Sequence, residues 1–246
     1  MKRSAIFVIL LSFVLVFSCS KDKMEKCGDN GELGAQTLML QDFNQLDIQS
    51  RFQFYFVQDT ASYAVIEGPK DMLENVKFDL YDSLLTISDE NTCKMFKGYP
   101  DLKIELHFKE LSKVEINGNA DCYSEDTLRL TKCLFESRAD LLKWNIKVKA
   151  QELSFQFHAV IGEFTMSGEV ENLYSYSSGS NHLYFENLVV QNASVNHSSL
   201  GNMHLTVQEK LNLTIAKSGD FYLHGSCKQE YVSYAPNASG HFFHLP

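Results

Sequence analysis

Three histidines near the C-terminal end of the chain have a spacing that suits metal chemistry. His204, His224 and His244 follow one another at a constant interval, and Tyr184 precedes them by the same interval. If a pair of short β-strands repeats at that interval, these rings stack on the outer face at the strand spacing of about 4.8 Å. Imidazole nitrogens bind zinc or copper at about 2.0 to 2.1 Å. The spacing therefore predicts a weak surface metal site, with an ordinary stacked row as the alternative interpretation; no other cofactor is indicated.

Four tyrosines are also expected to point outward from the repeating strands: Tyr174, Tyr176, Tyr184 and Tyr222. Tyrosine offers an apolar ring and a hydrogen-bonding hydroxyl, so such a row can stack against sugars or anchor a partner protein. Scattered tyrosines are equally ordinary on exposed β surface. We interpret the four residues as a binding face and keep the simpler interpretation as the alternative.

Ser218, with Gly219 and Asp220 after it, has the composition of a nucleophile turn. No Gly-x-Ser-x-Gly elbow surrounds it, and neither a general base nor an oxyanion donor can be assigned. Small polar residues are typical of the corner between two strands. We therefore predict no catalytic residue and expect that the protein is not an enzyme.

Three tripeptides resemble an O-glycosylation motif of Gram-negative envelope proteins, in which aspartate precedes the hydroxyl residue. Their sequences are Asp-Thr-Ala, Asp-Ser-Leu and Asp-Thr-Leu. The motif would place glycans on Thr60, Ser83 and Thr127.

The N-terminus is typical of an exported lipoprotein. Lys2 and Arg3 precede an apolar run over 5–17, which matches a signal peptide at 1–18 and is too short to span a bilayer. Cys19 follows a small residue as in a bacterial lipobox, which implies cleavage before it and acylation of its sulfur. We expect a lipid-anchored protein of the outer membrane, on its surface or its periplasmic face.

The cysteines do not form a recognisable framework. Once Cys19 is acylated, five remain, which cannot all pair, and no Cys-x-x-Cys spacing occurs: Cys27, Cys93, Cys122, Cys133 and Cys227. A bridge between Cys122 and Cys133 is the pairing that their closeness in sequence allows.

The net charge of −9 excludes a class of partners. An acidic chain without a stripe of lysine and arginine is a poor ligand for phosphate backbones, so we expect no nucleic acid.

The rest of the chain has the pattern of β-strands. Alternating apolar runs fill the segment up to residue 108, interrupted after Pro69 by Met72, Leu73 and Val76 at helical spacing. From residue 111 the runs restart about every 20 residues, with small polar corners between them, such as 216–220. Units this short bury their apolar faces only by stacking on each other. The pattern predicts an all-β fold with one short helix, in which coils stack as a β-solenoid or β-prism.

The order of these elements resembles the putative auto-transporter adhesins with a head GIN domain. The resemblance covers roughly residues 40 to 240 and depends on four stretches: a leading strand at 43–48, Val-Ile-Glu-Gly-Pro at 65–69, Leu-Ser-Lys-Val-Glu-Ile-Asn-Gly at 111–118, and the final coil at 217–225. Corners in that family are usually rich in glycine, whereas 137–140 and 158–160 lack it. The resemblance implies an exported β head and supplies no catalytic residues.

Four segments follow from these observations: a signal peptide at 1–18, a flexible tether at 19–36, an N-terminal β section at 37–110 and a repeating section of the same domain at 111–246. We expect a non-catalytic envelope lipoprotein whose adhesin-like head binds a glycan or a protein partner. A periplasmic scaffold or signalling partner is the alternative, and a carbohydrate-active enzyme is a third.

Overall fold

The computed structural model describes residues 31–91 and 102–246. Strands make up 71% of these residues, and they include one short helix, so the all-β prediction is confirmed. Within these two ranges no helix combines the length and the apolar character that a membrane span needs. The predicted signal peptide and Cys19, Cys27 and Cys93 lie outside the described residues.

The described residues of the N-terminal section form short strands and one helix. Its elements are β1 Leu33–Met39, β2 Gln45–Ile48, β3 Phe52–Gln58, β4 Tyr63–Pro69, α1 Lys70–Leu73, β5 Val76–Tyr81, β6 Leu84–Asp89 and β7 Leu102–Phe108. The predicted short helix is confirmed: Pro69 occupies the N-cap position of α1, and Met72 and Leu73 are buried. Strand β1 pairs antiparallel with β4. The expectation of a flexible tether through residue 36 is therefore wrong at its end, because backbone hydrogen bonding already orders the chain from Leu33.

In the second section, strands are the regular elements of the described residues, joined by turns. They are β8 Lys113–Ile116, β9 Asp121–Tyr123, β10 Leu128–Ser137, β11 Leu142–Ser199, β12 Met203–Ile215, β13 Phe221–His224, β14 Gln229–Tyr234 and β15 Phe242–Leu245. The fifteen strands found in ranges 31–91 and 102–246 belong to one curled sheet, in which β2 pairs in parallel with β8 and β3 with β9. The two predicted sections therefore share one continuous sheet.

The long strand β11 winds through successive coils, so that parts of it about 20 residues apart lie side by side. Within it, Lys149 Nζ lies 2.8 Å from Glu169 Oε2, and Ser177 Oγ lies 3.3 Å from His197 Nδ1, each pair being 20 residues apart. We call each such length of chain a coil.

The offset between paired residues varies along the stack. Leu128 pairs with Val148 and Tyr184 with His204, and in both pairs the offset equals that of the coils within β11. The next offset is two positions shorter, since His204 pairs with Tyr222. The one after it is one position longer than the first, since Tyr222 pairs with Phe243. The predicted interval is thus an average and not a constant.

Alternate residues of each strand point into a common interior. One part of that interior is the aromatic cluster, whose six rings are all buried: Phe135, Trp144, Phe155, Phe157, Phe164 and Phe185. The ring of Trp144 contacts those of Phe135, Phe157 and Phe164 at centroid distances of 5.6, 5.4 and 5.1 Å. Such edge-to-face pairs each add about 0.5 to 1.5 kcal/mol to the gain from burial.

A second part of the interior is the polar cluster, five buried side chains that carry hydroxyl, amide or imidazole groups: Ser175, Ser177, Asn181, His197 and Ser199. Ser199 Oγ accepts hydrogen bonds from the backbone N–H groups of Asn181 (3.2 Å) and Gly201 (3.1 Å). Burial lowers the pKa of His197 to about 4. The imidazole is therefore neutral at pH 7.

The corner at 216–220 is a turn, as predicted. It connects β12 to β13, and Ser218 is exposed while Gly219 is buried. A Cβ atom at Gly219 would overlap the carbonyl oxygen of Gly201, so only glycine fits at this contact between two neighbouring coils.

Candidate functional site

An open groove of about 950 Å³ crosses the outward side of the sheet where β11, β12 and β14 lie side by side. Two parallel rows of side chains line it, one residue from each successive coil. The first row is Ser154, Tyr174, Ser194, Asn212 and Tyr231. The second row is Gln156, Tyr176, Asn196, Thr214 and Ser233.

Strand register accounts for both rows. Ser194 pairs with Asn212 and Asn212 with Tyr231, while two residues further along the same strands Asn196 pairs with Thr214. Residues two apart on a strand point to the same face. Two rows of outward side chains therefore run across the strands, and the groove lies along them.

The groove offers rings and neutral hydrogen-bonding groups. Tyr174 is 49% exposed and Tyr231 is 58% exposed, so part of each ring is open to a ligand. Lys210 Nζ lies over the Tyr231 ring, 5.5 Å from its centroid. Hydroxyl and amide groups lie between the two rings, and the ionisable side chains of the lining besides tyrosine are His158 and Glu230. Such a surface can stack on the apolar face of a sugar ring and exchange hydrogen bonds with its hydroxyls.

A separate line of rings, the aromatic row, lies on the outward face of the last coils. It consists of Tyr184, His204, Tyr222 and Phe243, each paired in register with the next. Successive ring centroids are 5.9, 4.5 and 5.1 Å apart. Burial lowers the pKa of His204, and the nearby Glu186 carboxylate opposes that shift.

The predicted stacking of His204, His224 and His244 is wrong as a row of three. Because the offset shortens by two positions at this step, Tyr222 pairs with His204, and His224 meets it only diagonally, with His204 Nδ1 at 3.0 Å from His224 Nε2. His244 Nε2 instead lies 3.2 Å from Glu230 Oε2. Among the described residues no three histidine, cysteine or acidic side chains are placed to hold a metal ion.

The longer offset of the following step places Phe243 beside the outward Tyr222. Met203, Leu205 and Leu223 are buried, whereas Phe243 is 41% exposed. Phe242, the residue before it, pairs with the buried Phe221.

The four predicted tyrosines do not form one face. Tyr174 and Tyr176 line the groove, whereas Tyr184 and Tyr222 belong to the aromatic row. Tyr231 completes the groove and was missed as a binding residue, although its place one coil after Asn212 is a signal that could have found it.

The three candidate glycosylation residues lie in exposed turns between strands. Thr60 follows β3, Ser83 lies between β5 and β6 with a φ of 70°, and Thr127 precedes β10. Their hydroxyls are open to solvent, so glycosylation stays a prediction that this geometry permits.

The described cysteines are free thiols, so the suggested bridge between Cys122 and Cys133 is absent. Both are buried, and burial raises the pKa of the Cys133 thiol to about 12. Thiols of this kind are unreactive.

Solved structures of similar fold come from Bacteroides and Parabacteroides species. A putative adhesin of Bacteroides fragilis superposes with a TM-score of 0.77 at 17% identity, covering 87% of this chain and 97% of its own. A putative adhesin of Parabacteroides merdae gives a TM-score of 0.55 at 17% identity, covering 88% and 98%. A Parabacteroides distasonis structure described as a putative lipid binding protein gives 0.61 at 15% identity, covering 88% and 98%. At these identities the likeness shows the fold alone.

No curated protein matches the chain. The family model described as "Putative auto-transporter adhesin, head GIN domain" matches residues 42–227, which is well over half of the sequence. The chain therefore belongs to the head GIN domain family of putative auto-transporter adhesins.

Proposed function

We propose that this protein is a non-catalytic lipoprotein of the cell envelope whose head binds a glycan in the groove. The single observation that carries the proposal is the composition of that groove. Its two exposed rings, Tyr174 and Tyr231, stand among neutral amides and hydroxyls. Sugars are bound by this combination of stacking surface and neutral hydrogen-bonding groups.

The stack of coils supplies the rigidity that such a groove requires. Parallel pairing of each coil with the next supports a β-solenoid arrangement for the C-terminal half of the head. Row residues on β11 and β12 are held between neighbouring strands, and β14, which carries Tyr231, pairs with β12 along one edge. Little order therefore has to be gained over most of the groove when a ligand binds.

A lipid is a less suitable ligand for this groove. One structural relative is described as a putative lipid binding protein. An acyl chain needs an apolar lining, whereas the two rows present mostly hydroxyl and amide groups, and the apolar residues between them, such as Leu213 and Val195, are buried.

Attachment to the outer membrane through an acylated Cys19 is part of the proposal. The sequence before Cys19 and the family of the head support it. Orientation can be tested by treating intact cells with protease and detecting an epitope placed after Pro246. Cleavage while a periplasmic control survives would place the head outside; protection would favour the periplasmic alternative.

Binding can be tested with a matched pair of tyrosine variants on β14. Tyr231 lines the groove, while Tyr234, three residues later, is similarly exposed at 54% and does not line it. The purified full-length chain would be applied to a glycan array, and the affinity for any captured glycan would then be measured for each variant. We expect Tyr231→Ala to weaken binding by about tenfold or more, as loss of one stacking ring does, and Tyr234→Ala to leave it unchanged.

Two outcomes would overturn the glycan proposal. The first is equal affinity of Tyr231→Ala and Tyr234→Ala for the captured glycan. The second is an array without any captured glycan, combined with capture of a protein from envelope extracts that Tyr231→Ala abolishes. That second result would identify the groove as a protein-binding surface.

A further inference from the structure

Tyr174 and Tyr231 belong to the same row of the groove but lie on strands that are not neighbours. Within β11 the Asn192 side-chain amide donates to Asn172 Oδ1 at 3.3 Å, across an interval of 20 residues. Two residues further along both strands, Tyr174 therefore lies beside Ser194. An exposed ring is thus followed in the row by a small hydroxyl.

The strand register places Tyr231 further along the same row. Ser194 pairs with Asn212, and Asn212 pairs with Tyr231. The two tyrosines are thus carried by the first and the last of four adjacent strands. Three spacings of about 4.8 Å separate their backbones, which amounts to about 14 Å. A single sugar residue that stacks on one ring cannot reach the other.

The floor between the two rings is made of short polar side chains. They are Ser194, Asn196, Asn212 and Thr214, of which Thr214 is half-buried and the others are exposed. All four are shorter than tyrosine, so the space above them is open from one ring to the other. Their hydroxyls and amides both donate and accept hydrogen bonds, as sugar hydroxyls do.

The charged groups near the groove favour an uncharged ligand. Besides tyrosine, the ionisable residues among the described lining are His158 and Glu230. Glu230 Oε2 lies 3.2 Å from His244 Nε2, and the Lys210 ammonium lies over the Tyr231 ring. A chain with a net charge of −9 also repels an acidic polymer.

On the basis of the glycan-binding function proposed above, we propose that the ligand is a neutral, unbranched glycan chain of about four or more sugar residues. The chain lies across the strands, parallel to the direction in which the coils stack. A six-membered sugar ring is about as wide as one strand spacing, so one sugar residue per strand places sugars on both Tyr174 and Tyr231. The sugars between them exchange hydrogen bonds with the floor. Because the groove is two rows wide, it suits a chain without branches.

A chain that contacts both rings should bind more tightly than a fragment that contacts one. Once one end is stacked, the second contact forms within the same complex, at an effective concentration set by the length between the contacts. A disaccharide spans about two strands and occupies one ring at a time. We therefore expect affinity to rise with chain length up to about four sugar residues and to change little beyond that.

The test measures the affinity of the purified full-length protein for disaccharides and hexasaccharides by calorimetry. The neutral probes are cello-, xylo-, manno-, chito- and laminari-oligosaccharides, and an oligogalacturonate hexamer is the acidic comparison. We expect at least one neutral hexamer to bind about tenfold or more tightly than its own disaccharide. The acidic hexamer should bind about tenfold or more weakly than that neutral hexamer.

Variants of the lining separate a spanning chain from a short ligand. For the neutral hexamer that binds, Tyr174→Ala and Tyr231→Ala should each lower the affinity by about tenfold. Tyr234→Ala is the matched control, because Tyr234 is similarly exposed and does not line the groove. Ser194→Arg places a long side chain between the rings and should weaken binding of the hexamer more than that of its disaccharide. Circular dichroism of each variant would establish that the fold is retained.

The possible failures of this inference differ from a failure of glycan binding in general. A disaccharide that binds as tightly as its hexamer, or a hexamer that is weakened by only one of the two tyrosine variants, would overturn the spanning chain alone. An acidic hexamer that binds as tightly as the neutral one would overturn the uncharged class. If no neutral hexamer binds, the inference is likewise overturned, and the glycan array then decides the wider proposal by itself. A hexamer that neither tyrosine variant weakens would overturn both.

Discussion

Around Trp144 the interior of the sheet is filled by aromatic rings, whereas around His197 it is filled by hydroxyls, an amide and an imidazole. Both places are fully buried and belong to the same stack of coils. Ser177 Oγ contacts His197 Nδ1, while Phe157, one coil before Ser177, contacts Trp144. The two clusters therefore lie in successive coils of the same stack. Ring packing stabilises the first, and hydrogen bonds stabilise the second.

The way each interior is filled explains the difference. In the polar cluster, small side chains hydrogen-bond to nearby backbone, as the Ser199 hydroxyl does to the carbonyl oxygens of Gly179 and Asn181. In the aromatic cluster, rings fill the interior by packing on one another. Close contact between coils occurs beside both clusters, because a Cβ atom at Gly162 would overlap the Leu142 carbonyl oxygen and one at Gly201 that of Asn181.

The largest expected effect is in the aromatic cluster. Trp144→Ala should lower the free energy of unfolding by about 3 to 5 kcal/mol, because a large cavity opens among three contacting rings. Trp144→Phe should cost much less, since the Trp144 Nε1–H is buried without a partner and phenylalanine removes that donor. Urea unfolding of both variants measures the contrast, and equal losses would contradict the role given to ring packing.

The next effect concerns the polar cluster, which, unlike the aromatic cluster, should make the free energy of unfolding fall in acid. Burial lowers the pKa of His197 to about 4, whereas an unfolded histidine titrates near 6.5. The unfolded chain therefore binds the proton first as pH falls. The contribution is fully present above about pH 6.5 and declines towards pH 4, by a total of about 3 kcal/mol.

Unfolding free energies measured at pH 7 and pH 4 check this expectation. His197→Gln cannot titrate, so its stability should fall less between the two pH values than that of the wild type. An identical fall in both proteins would assign the acid sensitivity to other groups.

A third comparison separates the energetic cost of a close backbone contact from the cost of a left-handed backbone conformation. Gly219→Ala should cost about 1 to 3 kcal/mol or more, because its methyl group meets the Gly201 carbonyl. Gly225 has a φ of 74° and nothing within 4 Å of a Cβ, so Gly225→Ala should cost only about 1 to 2 kcal/mol through the left-handed conformation. Thermal unfolding of the two variants would decide, and a smaller loss for Gly219→Ala would mean that the coils separate easily.

The smallest expected effect is at one hydroxyl. Ser177→Ala should remove about 1 kcal/mol, since it leaves His197 Nδ1 without its partner at 3.3 Å. Ser194→Ala, on an exposed position of the groove, should leave stability unchanged within error. Chemical denaturation of both would show whether the polar cluster depends on its hydrogen bonds, and equal values would argue against it.

Local patterns were sufficient to predict the strands, the short helix after Pro69 and the turn at 216–220. Each of these depends on alternation, on helical spacing or on small residues within a few positions. The free Cys122 and Cys133 could not be predicted, because their separation in space is set by the sheet. The burial of His197 could not be predicted either, since no residue near it in sequence indicates its contact with the backbone at Gly219.

The candidate site was predicted only in part, for one physical reason. A register counted in equal steps holds for Tyr184 and His204 but not for the coil after them, where the offset is two positions shorter. Bulges and corners of unequal length change which side chains become neighbours across strands, and they leave little trace in composition. His224 therefore meets His204 diagonally. Tyr231 likewise follows Asn212 at an offset one position shorter than the regular interval, so equal steps do not point to it.

In the described part of the chain, the pairing of a coil with the coil before it and the coil after it has an evolutionary consequence. A duplicated coil would find the same kind of neighbour on each side and lengthen the head by about 4.8 Å. Outward residues of a single coil can meanwhile change without disturbing the interior, because alternate positions face opposite sides. Descendants of this gene can therefore vary the reach of the head and the surface it displays as two separate traits.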